Sequence, residues 1–351
     1  MTLRYISPTN AFLPEMTGQV IAYVRKESDF SLNKYVQYVD GPTLGVYCKM
    51  GRDQFVRRVT DAEFAWEDGD ERPRGEYQKV PFELTEYRTF RRDYPWSVGN
   101  KAIATAKAFK PKAVHASMAI SIAMTNRTAR VVSLLETSSN WGTHTADANT
   151  LNGGRGNWAN ASGDPTSPNY LAIFRSLVEM GRRINLATNA VVKPNNGVCV
   201  VSPGLAIAMS QTSEIHEYCK ESQYAKEILE KGMDPQYQLF GLPATYKGFT
   251  FVVEDSPMVD ERAKASGVEA TTNRDYIKAD STAIWCSRPG GLDGEYGAPS
   301  FSTVQLYHYG GLLEVEGFDD AKNRRYEGHV SEDIKEVLAS SVSGFLVTNT
   351  M

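Results

Sequence analysis

The chain lacks the residue patterns on which most metal proteins and disulfide-rich proteins depend. Its 351 residues include only four cysteines, at positions 48, 199, 219 and 286, and none of them forms a Cys-x-x-Cys pair. Such scatter is typical of reduced thiols in a cytoplasmic protein. Cys199, His216 and Cys219 come closest to a ligand set, but a fourth ligand at a recognised spacing is missing. We therefore predict neither a metal nor a cofactor.

Catalytic signatures are also missing. The sequence has no Gly-x-Ser-x-Gly, no His-Glu-x-x-His and no Walker-type phosphate loop. The Gly-Gly-Arg-Gly run at 153–156 lacks a following Lys-Ser/Thr, and we interpret it as part of a surface loop over 141–167. We predict that the chain is not an enzyme. A competing hypothesis is an unrelated soluble enzyme with His216 and Asp255 as arbitrary candidates, and a turnover abolished by one substitution would support it.

Long apolar runs and a strong charge of one sign are absent. The longest apolar candidate, 114–124, is interrupted by polar residues and is too short to span a membrane. The first sixteen residues contain no basic segment followed by an apolar run, so no signal peptide is predicted. A net charge of −4 gives no general attraction to nucleic acid or anionic membranes. With 41% hydrophobic and 23% charged residues, the composition is that of a globular protein.

The segment 46–92 is the most informative part of the chain. Val80, Phe82 and Leu84 alternate with residues of other types. We interpret Phe55, Arg57 and Val59 as one face of the outgoing strand, so that the two runs predict the long strands of a β-hairpin. Between them lies an acidic tip at 61–75. A two-stranded ribbon is marginal in water, and Pro81 favours an edge position without a third strand. We predict that this hairpin needs a surface to lie on, and that a second copy of the chain supplies it.

A long helix is predicted from 112 to 136. Its apolar residues fall on two faces, which predicts a helix sandwiched between layers, and we expect Ile122→Asp to destroy folding by burying a charge. One face carries Val114, Met118 and Ile122, and the other carries Ile120, Met124, Val131 and Leu135.

Helices and strands alternate along the rest of the chain without a regular βαβ repeat, which favours the α+β class. The other predicted elements are a helix at 96–108, an amphipathic helix beginning at 167–168, a strand at 198–201 covered on both sides, helices at 203–209 and 214–231, strands at 249–253 and 283–286, a strand pair of 303–309 with 312–316, and returning strands at 334–338 and 342–347.

Three local stretches, taken in order, resemble a known family. They are Phe-Lys-Pro-Lys-Ala at 109–113 leading into the long helix, GVCVVSPGLAIAMSQ at 197–211 followed by 214–220, and LFGLPATYKGFTFVV at 239–253. Together with the predicted arm and hairpin, they are similar to the major capsid protein of tailed bacteriophages, which has the Hong Kong 97-type fold. The resemblance covers nearly the whole chain.

The resemblance implies an N-terminal arm (1–44), an extended loop (45–93), a peripheral domain (94–165 and 313–351) and an axial domain (166–312). It implies hexamers and pentamers in an icosahedral shell around double-stranded DNA, assembled in the host cytoplasm and located in the virion. The alternative is an encapsulin-like compartment that encloses a cargo enzyme.

Two departures from the family bear on partners. Only 44 residues precede the hairpin, which implies either a separate scaffolding protein or a scaffolding segment already removed from this chain. The resemblance also implies a portal, and such shells can carry a decoration protein. No lysine lies between Arg58 and Gln78, so self-crosslinking through a tip lysine is not expected. Non-covalent contacts between acidic tips and arginines remain. The candidate inter-subunit residues are Arg57, Arg58, Trp66, Glu67, Asp68, Asp70, Glu71, Arg91 and Arg92.

Overall fold

The structure is a computed structural model that describes residues 25–52, 83–106, 110–221, 235–259, 274–288 and 302–351. The predicted hairpin tip at 61–75 and its flanking strand residues at 55–59 and 80–82 lie outside this part of the chain. Among the described residues, no helix is both long enough and apolar enough to cross a membrane.

Helices and 3₁₀ turns punctuate the described chain. The helices are α1 (Asn100–Thr105), α2 (Pro111–Glu136), α3 (Ala148–Leu151), α4 (Ala172–Ala187), α5 (Pro203–Ser210), α6 (Ser213–Glu221) and α7 (Pro235–Phe240). The 3₁₀ turns are Glu27–Asp29, Ser31–Lys34, Ser138–Asn140, Trp158–Asn160 and Pro194–Asn196.

The strands of the described chain form two large sheets and two small ribbons. They are β1 (Val36–Asp40), β2 (Leu44–Lys49), β3 (Glu83–Arg88), β4 (Phe90–Gly99), β5 (Thr145–Asp147), β6 (Gly197–Val201), β7 (Thr245–Tyr246), β8 (Phe249–Val253), β9 (Pro257–Val259), β10 (Arg274–Tyr276), β11 (Thr282–Ser287), β12 (Val304–His308), β13 (Glu314–Asp320), β14 (Arg325–Leu338) and β15 (Phe345–Thr348).

A five-stranded sheet is built around β14, the longest strand. β4 runs antiparallel along one edge of β14, from Arg325 to Ile334. β13 and β12 lie end to end on its other edge, opposite Arg325–Ser331 and Ile334–Leu338 respectively, and β1 pairs in parallel with β12. The predicted pairing of 303–309 with 312–316 is therefore wrong. β14 accepts both strands because it is long enough to pair with each in turn.

The helix α2 packs on one face of this sheet, close to the predicted bounds. The face with Met124, Val131 and Leu135 is fully buried. The face with Met118 and Ile122 is open, and Ile122 is 55% exposed. The expectation that Ile122 lies in a sandwiched core is wrong, because the described residues cover α2 on one side only.

The predicted helix at 96–108 is also wrong at its start. β4 continues to Gly99, and α1 begins only at Asn100. Residues 96–99 form a strand and not a helix because Tyr94, Trp96 and Val98 alternate along β4 and face α2. This is the period-two pattern of a half-covered strand.

A six-stranded sheet, in the order β5-β15-β11-β6-β8-β7, has both faces covered. Cys199 and Val201 of β6 face a core that includes residues of α4, α5 and α6. Val198 and Val200 of the same strand face a second core, shared with α2 and the five-stranded sheet. The prediction of a buried strand covered on both sides is confirmed.

The boundary of α4 is set by a carboxylate from another helix. The residue before the helix, Leu171, is left-handed (φ 52°) and offers no capping side chain. Glu214 of α6 fills this role by accepting hydrogen bonds from the main-chain N–H groups of Ile173 (3.1 Å) and Phe174 (2.9 Å) and from the hydroxyl of Tyr246 (2.7 Å). This explains why α4 begins at Ala172 and not at the predicted Ser167-Pro168.

The sheets cross the expected domain boundaries, and the domain division stays a prediction. β15 belongs to the six-stranded sheet, although residues 313–351 were expected to be peripheral. β12 belongs to the five-stranded sheet, although 166–312 were expected to be axial. Part of the expected arm also lies in the core, because Leu32 and Tyr35 are fully buried.

Candidate assembly surfaces

The base of the predicted hairpin is present as the antiparallel pair β2–β3. Leu44 lies opposite Arg88, and Lys49 opposite Glu83, with the ladder continuous between them. The main-chain N–H of Met50 donates to the oxygen of Ala339, at 2.8 Å, and ties the base to the end of β14. The base of the hairpin is therefore held beside the end of β14.

The outer face of this hairpin base is exposed and carries four apolar side chains beside the charged Glu86 and Arg88. Leu44 is 66% exposed, Val46 57% and Leu84 63%, and Cys48 lies on the same face. Exposed apolar side chains grouped on one strand pair are typical of a surface that another chain covers. This surface, Leu44, Val46, Cys48 and Leu84, is called the hairpin patch below.

The inner face of the hairpin base is attached to the chain's own body. Tyr87 stacks on Tyr307 of β12 with ring centroids 4.3 Å apart, and Tyr47 lies 6.0 Å from the same ring. A Cβ on Gly45 would stand 2.7 Å from the Tyr87 hydroxyl, so glycine makes room for this ring. The base thus has a fixed inner side and an outer side that stays exposed among the described residues.

Of the nine predicted inter-subunit residues, the described chain contains two, Arg91 and Arg92 on β4. They point to opposite faces of the sheet, as neighbours on a strand must. Arg91 contacts the carboxylate of Asp93 at 3.4 Å and the hydroxyl of Ser331 at 3.3 Å. A hydrogen bond from Ser331 and the charge of Arg91 lower the pKa of Asp93. Within the described chain, Arg92 donates to the main-chain oxygens of Phe90 and Ile334, each at 3.4 Å. Arg57, Arg58, Trp66, Glu67, Asp68, Asp70 and Glu71 lie outside the described residues.

A buried ion network, which the sequence analysis missed, joins α2 to β14. Arg127 and Glu332 are both fully buried and 2.9 Å apart. Arg130 contacts Glu332 at 2.6 Å and Glu336 at 2.5 Å, and Tyr94 donates to Glu332 at 3.1 Å. Burial alone would lower the pKa of Arg130, but the two glutamates raise it above its ordinary value. This set is called the arginine–glutamate network.

A sequence signal for this network exists in hindsight. Arg127 and Arg130 are three residues apart on one face of a helix, and Glu332 and Glu336 point to one face of a strand. Nothing in the sequence alone places that helix against that strand. The pairing of these arginines with these glutamates depends on β14 lying beneath α2, and that is a matter of tertiary packing.

A second buried cation fixes the end of α2. The Lys278 ammonium is fully buried and lies 2.8 Å from the carboxylate of Glu136 and 2.8 Å from the main-chain oxygen of Thr282. Burial lowers the pKa of Lys278, while Glu136 raises it. This contact joins the last residue of α2 to the six-stranded sheet.

His144 is buried beside β15 of the six-stranded sheet, where its main-chain oxygen accepts a hydrogen bond from the N–H of Leu346 at 3.0 Å. Its ring packs edge-on against Phe345 at 5.8 Å. Burial lowers the pKa of His144, a main-chain hydrogen bond at Gly344 opposes this, and the charges of Arg183 and Arg52 lower it further. The folded chain therefore favours the neutral imidazole.

We expect this histidine to make the chain acid-sensitive. Its unfolded pKa is about 6.5, and its folded pKa is lower. Stability should fall as the pH drops below about 6.5 toward the folded value, because the unfolded chain binds the proton more readily. Urea unfolding at pH 7.5 and 5.0 should show a smaller loss for His144→Phe than for the wild type. An equal loss in both proteins would contradict this role.

The Gly-Gly-Arg-Gly run does not form a phosphate cradle. The main-chain N–H of Arg155 donates to Asn152, and that of Gly156 donates to Asn149, both at 2.8 Å. These asparagines occupy the donors that a phosphate would need. Across the described ranges, no three His, Cys, Asp or Glu side chains gather closely enough to hold a metal ion.

Comparisons with known proteins bear on the fold. No protein-family model matches the chain, and no curated protein matches its sequence. Its structure is similar to a phage-related protein from Bordetella bronchiseptica RB50, with a TM-score of 0.55, 12% identity and coverage of 98% of this chain and 99% of that one.

Two phage capsids are similar over a comparable length. The mature capsid of bacteriophage PhiM1 gives a TM-score of 0.52 at 10% identity, covering 99% of this chain and 92% of the other. The capsid of cyanophage P-SCSP1u gives 0.50 at 10% identity, covering 99% and 91%. The predicted resemblance to phage capsid proteins and the α+β, Hong Kong 97-type fold are confirmed. At such identities the likeness concerns the fold.

Proposed function

We propose that this chain is the major capsid protein of a tailed phage, which assembles as hexamers and pentamers into an icosahedral shell around double-stranded DNA. The full-length likeness to phage capsids supports this function. The observation that carries it within the chain is the hairpin patch, because its exposed apolar side chains have no cover among the described residues. A second copy is the cover that repeated assembly supplies.

The hairpin links one copy to the next in this proposal. Its inner face is fixed by the Tyr87–Tyr307 stack, so the exposed outer face is the part available to a neighbour. The acidic tip, with Glu67, Asp68, Asp70 and Glu71, would reach arginines of that neighbour, such as Arg57 or Arg58. Single exposed ion pairs contribute about 0–1 kcal/mol, but they recur at each copy of a closed shell.

Other parts of the proposal follow the family resemblance. Residues 1–44 form the arm, 45–93 the extended loop, 94–165 with 313–351 the peripheral domain and 166–312 the axial domain. Assembly takes place in the host cytoplasm with a separate scaffolding protein and a portal, and the chain is located in the virion. The role is structural and not catalytic.

Negative-stain microscopy of the purified full-length protein tests this function. We expect closed shells or ring-shaped hexamers and pentamers, because the hairpin patch needs a partner. Shells that hold protein cargo but no nucleic acid would favour the encapsulin-like alternative. A protein that remains a monomer at all salt and protein concentrations would overturn the shell function.

Deleting the tip residues 61–75 should separate folding from assembly. The variant should melt like the wild type because these residues lie beyond the anchored β2–β3 base. It should fail to form shells because the reach of the hairpin is lost. Sedimentation velocity distinguishes subunits from shells, and circular dichroism reports the fold. Intact shells from the deleted protein would refute this role of the tip.

A further inference from the structure

A depression of about 580 Å³ lies on the α2 side of the five-stranded sheet, between α2 and β4. None of the side chains that line it is a carboxylate, and its polar groups can all donate hydrogen bonds. They are Arg92, Tyr94, Asn126, Ala129, Arg130 and Ser133. It is called the α2–β4 depression below.

Arg92 is the uncompensated charge of this depression. Its hydrogen bonds within the described chain are two contacts of 3.4 Å from one terminal nitrogen, to the main-chain oxygens of Phe90 and Ile334. It makes no ion pair with any described carboxylate. A guanidinium held by two long contacts keeps most of its donors available for an anion.

The buried network beneath the depression does not cancel this charge. Three guanidinium groups, those of Arg92, Arg127 and Arg130, face two carboxylates, those of Glu332 and Glu336. Both carboxylates are engaged by Arg127 and Arg130. The site therefore keeps one net positive charge.

The two sides of the sheet differ in charge. From Pro111 to Leu135, α2 contains no acidic residue. The strand positions that alternate away from α2 carry six carboxylates against Arg91, Arg325 and Lys335. These carboxylates are Asp93, Glu314, Glu316, Asp320, Glu327 and Asp333. The strand carboxylates on the α2 side, Asp40, Asp319, Glu332 and Glu336, are matched in number by Arg92 and by Lys112, Arg127 and Arg130 of α2. A polyanion is therefore repelled less on the α2 side than on the other side.

We propose that the α2–β4 depression binds backbone phosphates of nucleic acid, with Arg92 as the charged contact. Within the shell function proposed above, on which this orientation rests, the α2 side is then the inner face of the shell and the acidic side the outer face. Phosphate binding of this kind is independent of base sequence.

Binding of a fluorescein-labelled 30-base-pair duplex to the unassembled full-length protein tests the site. Arg92→Gln should weaken binding and make the slope of log affinity against log salt shallower by about one, as expected for one lost phosphate contact. The matched control is Arg91→Gln, a change of the same charge on the adjacent residue, which faces the acidic side. It should leave both quantities unchanged.

Equal effects of Arg92→Gln and Arg91→Gln on affinity and slope would overturn the proposal. So would an Arg92→Gln protein that binds the duplex normally but fails to assemble, because the depression would then serve a neighbouring copy. Melting curves of both variants verify that they are folded. Failure of the shell function itself would appear separately, as the absence of particles for the wild type.

The orientation has its own readout in assembled particles. Cysteines introduced as Asn126→Cys, in the depression, and Glu316→Cys, on the acidic face, are compared for reaction with a maleimide on a large polymer. We expect the first to be protected until the particles are opened and the second to react at once, each measured against the parent protein. The reverse pattern would contradict an inner α2 face.

Discussion

Replacing Met124 with aspartate is expected to abolish folding, whereas the same replacement at Ile122 should leave a folded chain. Met124 is fully buried against the five-stranded sheet, and Ile122 is 55% exposed on the other side of α2. Burying an unpaired carboxylate lowers the free energy of unfolding by more than about 4 kcal/mol, whereas a surface substitution on a helix lowers it by less than about 1 kcal/mol. Soluble yield and thermal melting of the two variants measure the difference.

The pair is informative because both positions are apolar, lie two residues apart and receive the same charge. Helix propensity therefore changes by a similar amount in each. Loss of folding at both positions would show that the exposed face of α2 is covered before the chain is stable. Normal melting of Met124→Asp would contradict the packing of α2 on the sheet.

Replacing Glu332 with alanine should destabilise the chain by about 3–5 kcal/mol, because it leaves a buried guanidinium without its counter-ion. Glu332 is fully buried and receives Arg127, Arg130 and the hydroxyl of Tyr94. Equilibrium unfolding in urea measures the loss.

The control for this prediction is Glu316→Ala, on an exposed position of β13 in the same sheet. That change should stay within about 0.5 kcal/mol of the wild type. If Glu332→Ala unfolds at the same urea concentration as Glu316→Ala, the arginine–glutamate network does not hold α2 to β14.

The sequence was most informative where one pattern dominated. The long helix appears as α2 at Pro111–Glu136, close to the predicted 112–136. The continuous apolar run of β6 predicted a strand covered on both faces, which the burial of all five residues confirms. In these elements, local periodicity and tertiary packing require the same structure.

Predictions failed where tertiary contacts decide. The exposure of Ile122 could not be predicted from the helix pattern. Both faces of the helix are apolar in the sequence, and the sequence does not say which of them packs on the sheet. The joining of both β12 and β13 to β14 depends on the length of β14 and not on the Gly310-Gly311 turn. Of the candidate contact residues, only Arg91 and Arg92 lie in the described chain, and their opposite directions follow from strand geometry.

The core shared by the two sheets has a mechanical consequence. Val198, Val200 and Ile284 of one sheet pack with Leu306 and Ile334 of the other in one buried apolar cluster. Tilting one half of the subunit against the other would expose this apolar surface to water, at about 25 cal/mol for each Å². In the shell proposed above, each subunit would therefore resist such tilting and carry mechanical load as one unit.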